Sequence, residues 1–344
     1  MATTVLPRVH RPPAEGELTP ADTQQVRLLL RGDSVIDWHR LTFEAHGEVD
    51  RFLRLNEFDP GSEDEIGRLE ELRGDAVDYL GRAFNMVLSD EVAGELPARD
   101  LFLVASATGP HQKQACVVLK VMHILHHIAG RAALLKLSVS DEVIFREVEL
   151  KVMQVVEQLR AAGAPIAEFE WSRKPLDSQI TKLLAKRSTL AASIYDKLRF
   201  RLIVPSDADL VPMLVTLIRS LVPFNYIVPG ESVNQLVDLR RTLASATPRA
   251  PTAMPYNEFS GPEYRIVNFV ADLPLRVERL LPRAELPPDL CHVVFVLTEF
   301  QICDKATAVR NESGASSHEA YKQRQHDRVR ERLFRQDDIV KDDD

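Results

Sequence analysis

The chain has 344 residues, 45% of them hydrophobic and 27% charged, enough apolar sequence for one large core or two ordinary ones. Its formal net charge is −8, from 51 acidic against 43 basic residues, which argues against a broad nucleic-acid-coating surface but leaves room for a local basic pocket. Cys116, Cys291 and Cys303 have no metal-ligand spacing and each sits in an apolar run, the pattern of reduced, mostly buried thiols. The first residues lack an apolar signal core. No run reaches the eighteen or so apolar residues that cross a bilayer, so a cytoplasmic protein without membrane contact is expected.

Residues 1–20 are rich in Pro and polar residues and read as a flexible tail; the acidic stretch 336–344 reads as a solvated one. Between them, residues 21–165 read as a helical region and 166–335 as an α/β domain. In the first region, 62–84 and 112–128 carry helical patterns, and 140–162 has a cap at Ser140 followed by Val143, Val148, Val152 and Val155. Gly163 and Pro165 end it.

The pattern then changes. A short strand is predicted over 167–171, and a helix over 175–185 with Pro175 at its first turn. A strand follows over 198–204, stopped by Pro205, then a helix whose Leu210, Met213, Leu214, Leu217, Ile218 and Leu221 keep the helical period. Residues 233–244 read as a short helix before a proline-bearing loop, 264–273 and 292–302 as strands, and 306–311 and 317–334 as helices. The expected fold class is α+β, a mixed sheet flanked by helices behind a helical N-terminal region.

The last strand places Glu299 and Gln301 two apart, on one face. A carboxylate among Val, Phe, Leu and Ile is costly to bury unless paired, protonated or metal-bound; otherwise it faces solvent. Asp196, just ahead of a strand, is either a turn residue or a second carboxylate for a hard cation such as Mg²⁺. Lys174, Ser178 and Lys182 recur at intervals of four beside Arg173, and Arg199 and Arg201 alternate within an apolar strand. These cations either form a solvated face or converge on a triphosphate. His123, His126 and His127 fit a packed, neutral helix face better than a metal site, since no acidic or sulfur partner is evident. Trp38 and Trp171 read as core or interface anchors. Neither a Walker loop nor a dinucleotide fingerprint is present.

Glu299-Phe-Gln-Ile, then Glu312, Gly314, His318, Tyr321 and Lys322, resembles the end of the RelA/SpoT alarmone synthetase domain. That family carries Glu-x-Gln-Ile, Glu-x-Gly, His and Tyr-Lys in this order. Lys174, Ser178 and Lys182 resemble its basic helix, and Asp196 with Arg201 its Asp-strand-Arg signature. The resemblance implies a five-stranded mixed sheet and Mg²⁺-dependent pyrophosphoryl or nucleotidyl transfer from ATP to a hydroxyl. The acceptor would be a nucleotide or an RNA. It assigns Asp196 and Glu299 to metal binding or hydroxyl activation. It assigns Arg173, Lys174 and Lys182 to the ATP phosphates with Arg201 in support; Ser178 and Arg199, from the spacing of the basic elements, are further phosphate-binding candidates. In the family the basic helix opens Arg-x-Lys, whereas Arg173 and Lys174 are adjacent. The acceptor loop also departs: Tyr226-Ile-Val-Pro229 resembles its start, but Gly230-Glu231-Ser232 follows. Tyr264 and Asn268 keep the later Tyr-to-His spacing and, with Gln301 and His318, are the acceptor-side candidates. No His-Asp pair of the alarmone hydrolase kind occurs in the helical region. The wider chain is similar to a bacterial family of uncharacterised proteins, which implies no mechanism. Two other readings remain: a catalytically silent nucleotide-binding regulatory module, and a partner-binding structural protein.

Overall fold

The structure is a computed structural model that describes residues 9, 13, 18–31, 42–185, 197–238, 259, 261–282, 285–287 and 290–334. Its chain divides into two compact units. The first takes residues 1–164, 211–229 and 271–296; the second takes 165–210, 230–270 and 297–344. The expected tail at 336–344 and Trp38 lie outside the described residues, as does most of 1–20.

The first unit is helical. Its helices are α1 (Pro20–Arg31), α2 (His46–Leu55), α3 (Glu63–Phe84), α4 (Leu101–Ser106), α5 (Gln112–Lys136) and α6 (Asp141–Ala161). Ser140 caps α6, its hydroxyl accepting from the Val143 amide at 3.5 Å. Helix α5 packs against α3 and α4. It runs to Lys136, past the expected end at residue 128, because Gly130 is not a terminator. A Cβ there would overlap ring carbons of Phe295 and come 2.9 Å from the Val293 carbonyl oxygen. The glycine is kept for close approach, which costs about 1 kcal/mol of helix propensity. Among the described residues α5 is the one helix long and apolar enough to cross a membrane by length and composition. Its face of Ala115, Val118, Leu119, Met122, His126, Gly130 and Ala133 is buried within the unit.

An aromatic cluster holds this core, with ring centroids 5.5 Å apart for Phe43–Phe52, 5.4 Å for Phe52–Phe102 and 5.3 Å for Phe52–Phe224. Beside it lies a buried ionic network. Lys151 Nζ donates to Glu57 Oε1 at 2.7 Å and to the Pro274 carbonyl at 2.6 Å. Arg276 donates to Glu65 at 2.8 Å and to the Glu57 carbonyl at 3.0 Å. Glu57 itself sits at φ 65°, the left-handed region.

The second unit carries most of a mixed five-stranded sheet with strand order β1-β2-β5-β4-β3. The strands are β1 (Glu168–Arg173), β2 (Leu198–Val204), β3 (Val233–Asn234), β4 (Val267–Arg276) and β5 (Val293–Asp304). β1 is antiparallel to β2, β2 is parallel to β5, and β3 is antiparallel to β4. Helix α7 (Leu176–Ala185) packs on α10 (His318–Phe334), and α9 (Lys305–Asn311) follows β5 directly. Asp304 caps α9, accepting from the Thr307 amide at 2.9 Å and the Thr307 hydroxyl at 2.6 Å. Helix α8 (Leu210–Ser220), which from Val211 on belongs to the first unit, buries the apolar positions its period marks, Met213, Leu214, Leu217 and Ile218.

Three expectations need correction. The helix expected over 233–244 is strand β3 at its start; Asn234 there turns the chain with its own side chain, accepting from the Val237 amide at 2.9 Å. Residues 239–244 lie outside the described residues. β4 begins at Val267 rather than Tyr264, because Asn311 holds the preceding turn by bonding both the Arg265 amide (3.1 Å) and the Arg265 carbonyl (2.8 Å). Trp171 is no core anchor: it lies on edge strand β1, 47% exposed, stacked on Phe169.

Candidate active site

The pleat sorts β2 and β5 into two faces. On one, Phe200 stacks between Phe169 and Phe300 with centroids 6.0 and 5.7 Å away, and Phe269 stacks on Phe300 at 5.3 Å. On the other, Arg199 is the register partner of Glu299 and Arg201 of Gln301. The parallel pairing therefore sets the two arginines beside the two residues of the Glu-x-Gln motif. Across the other edge of β2, Ser172 registers with Arg199 and Glu170 with Arg201.

Glu299 is buried, at 7% exposure. Its charge is compensated within the sheet. Arg199 Nε donates to Glu299 Oε2. The Asn268 amide, in the orientation that satisfies its neighbours, donates to Glu299 Oε1 at 2.9 Å and to the Phe300 carbonyl at 3.2 Å. Both carboxylate oxygens thus carry a donor, one of them cationic. This meets the requirement for burying a carboxylate.

Arg201 reaches outward to Glu312 at 3.3 Å and Glu170 at 3.8 Å, and it stands beside the buried Cys303 thiol. Burial pushes the Cys303 thiol up, with the Arg201 guanidinium opposing the shift. Tyr264 stands in the field of Arg201, Arg199 and Glu299. Burial raises its phenol above the ordinary value although both arginines pull it down, so it stays a neutral donor at neutral pH. The Asn311 clamp on Arg265 fixes the turn that presents it.

The basic residues of the β1–α7 segment are distributed differently. Arg173 ends β1 opposite Leu198, so the pleat sets it on the Phe200 face rather than with Arg199. Lys174 leaves the strand with its amide bonded to the Lys197 carbonyl at 2.8 Å. Gln179 caps the Lys174 carbonyl at 2.9 Å. Ser178 and Lys182 follow on α7, both partly buried. Gln301 is partly buried next to Arg201. His318 opens α10. Asp196 lies within 186–196, outside the described residues.

Sequence reasoning placed Arg199 among the phosphate-binding cations; the structure also makes it the partner of Glu299. Their register, set by a parallel pairing of strands far apart in sequence, has no local signal. Glu170, Cys303 and Asn311 were missed for the same reason, although Glu170 does alternate with Trp171 along β1.

The resemblance implies Mg²⁺, a hard cation that takes several oxygen ligands. Among the described residues no group of three His, Cys, Asp or Glu side chains is placed to hold a metal. Glu299 is already engaged at both oxygens, and Glu170 and Glu312 face the Arg201 guanidinium. The described donor set therefore does not fit the cation.

No family model and no curated protein matches the chain. Solved structures do. Small alarmone synthetase 1 from Bacillus subtilis is similar at 16% identity and TM-score 0.31, over 57% of this chain and 88% of that one. Small alarmone synthetase 2 from Bacillus subtilis is similar at 16% identity and TM-score 0.33, over 54% and 81%. A GTP pyrophosphokinase family protein from Streptococcus pneumoniae is similar at 15% identity and TM-score 0.31, over 57% and 85%.

Proposed function

We propose that the sheet face of Arg199, Arg201 and Glu299 is a nucleoside polyphosphate site that passes the pyrophosphoryl group of ATP to a hydroxyl of a nucleotide or RNA acceptor. The observation that carries this reading is the in-register pairing of Arg199 with Glu299 and of Arg201 with Gln301 on one face, with Asn268 and Tyr264 beside them. Guanidinium groups match phosphate oxygens geometrically and stabilise charge that spreads over them during transfer. Lys174, Ser178 and Lys182 extend the positive edge where β1 passes into α7. Glu299 is the group that orients the attacking hydroxyl and accepts its proton once the acceptor is seated. Tyr264 and Asn268 form the acceptor wall, the phenol donating to or stacking on the incoming nucleotide. Asp196, two residues ahead of β2 in sequence, is the residue that the motif resemblance assigns to metal binding. A cytoplasmic location suits the unpaired thiols Cys116, Cys291 and Cys303.

A second reading, a nucleotide-binding module without turnover, draws on one feature. The acid that would take the proton is held by a guanidinium, which occupies its lone pairs. One experiment separates the two. Incubation with labelled ATP, Mg²⁺, a panel of nucleotides and tRNA should yield a labelled acceptor, and Glu299→Gln should abolish that product while the fold is retained. Binding of ATP without transfer to any acceptor selects the module. No binding rejects both.

A further inference from the structure

The way Glu299 is held bears on how this site meets a divalent cation, and the inference rests on the polyphosphate reading above. Three observations meet at one carboxylate. It is buried, so it needs compensation. Its Oε2 takes the Arg199 Nε–H, and its Oε1 takes the Asn268 amide at 2.9 Å. The parallel register sets Arg199 level with Glu299 on the same face of the sheet. The Arg199 stem is flanked on the other side by Ser172 of β1. A cation of fixed charge is thus tethered where a metal would have to bind, and an arginine does not lose its proton in the accessible pH range.

We infer that Arg199 sets the divalent-cation dependence of this site: its guanidinium occupies Glu299 in place of a metal, so Glu299 does not ligate a divalent ion in the nucleotide-free protein. A metal at Glu299 would have to displace a charge-assisted hydrogen bond and then sit beside the guanidinium it displaced, an unfavourable like-charge contact. The residue therefore determines specificity rather than reacting itself. Any metal that accompanies the nucleotide arrives on its phosphates, without a ligand from Glu299.

The test uses the full chain, without nucleotide, titrated with Mn²⁺ and read by the electron paramagnetic resonance signal of the free ion. In the wild type, Glu299→Gln should leave Mn²⁺ affinity unchanged, because that carboxylate is not a ligand. Arg199→Ala should raise the affinity by roughly tenfold or more, the scale of one charge-assisted hydrogen bond. Adding Glu299→Gln to Arg199→Ala should remove that gain. A clear loss of affinity in the single Glu299→Gln protein overturns the inference, and this isosteric variant keeps the test usable if Arg199→Ala fails to fold. Equal affinity in the wild type and a folded Arg199→Ala protein also overturns it, as does a gain that survives the second substitution. ATP binding by the same preparations tests the polyphosphate reading separately, so either can fail alone.

Discussion

Lowering the pH from about 7 to about 5 should destabilise the first unit through two histidines on α5. Burial, then the neighbouring His127, holds the buried His126 imidazole down at about 4. Burial, then His127 and His126, holds His123 at about 3. The geometry agrees. His126 packs between the rings of Phe58 and Phe295, at centroid distances of 5.1 and 5.4 Å. Its Nδ1 lies 2.7 Å from the Tyr226 hydroxyl. Burial raises that phenol far above its usual value. It therefore keeps its proton and donates it, and a protonated His126 would face a donor with a donor.

Above pH ~6.5 both the folded and unfolded imidazoles are neutral and contribute nothing. Below it the unfolded chain takes protons that the folded chain refuses, so stability falls until the folded values are reached. At pH ~5 each such histidine costs about 2 kcal/mol. His126 contributes in full; His123, less buried by its exposed surface, contributes less. The expected total lies between roughly 2 and 4 kcal/mol, a large fraction of ordinary domain stability. Urea unfolding at the two pH values should show this loss, and His126→Gln should recover about half of it or more. Imidazole proton resonances should show two rings that do not titrate down to pH ~5. Titration of every ring near pH ~6.5 would refute the reasoning.

Other expectations follow from the same packing. Gly130→Ala should destabilise by about 1–3 kcal/mol despite the better helix former, since the new Cβ meets the Phe295 ring and the Val293 carbonyl; a gain in melting temperature would show that strand β5 yields there. Lys151→Met should cost about 3–5 kcal/mol by leaving Glu57 charged and buried. The Lys151→Met/Glu57→Gln double variant should recover part of that loss, which denaturant titration of the four proteins in the cycle would measure. In the transfer assay, Glu299→Gln should reduce product formation by at least about a hundredfold, the scale of general base removal; unchanged turnover would exclude Glu299 from the chemistry.

Much of the secondary structure was legible because it is periodic. The bounds of β2, α7, α9 and α10 follow from local alternation, caps and prolines. The errors fall where a distant group overrides the local signal. Asn311 delays the start of β4, Asn234 turns a segment that reads as helix, and α5 runs past residue 128 with Gly130 packed against the Phe295 ring. Within the site, the sequence marked Glu299, Gln301, Arg199 and Arg201 by alternation and type. It did not say which carboxylate each arginine would meet.

Residue type and period determined which side chains share a face of each strand, since the pleat alternates whatever the neighbour is. They also determined the order of motifs that resembles alarmone synthetases. Only the tertiary structure decided that β2 lies parallel to β5 with Arg199 level with Glu299. That register depends on packing Phe200 between Phe169 and Phe300 on the opposite face. Shifting it by one residue would carry every charged side chain across the sheet.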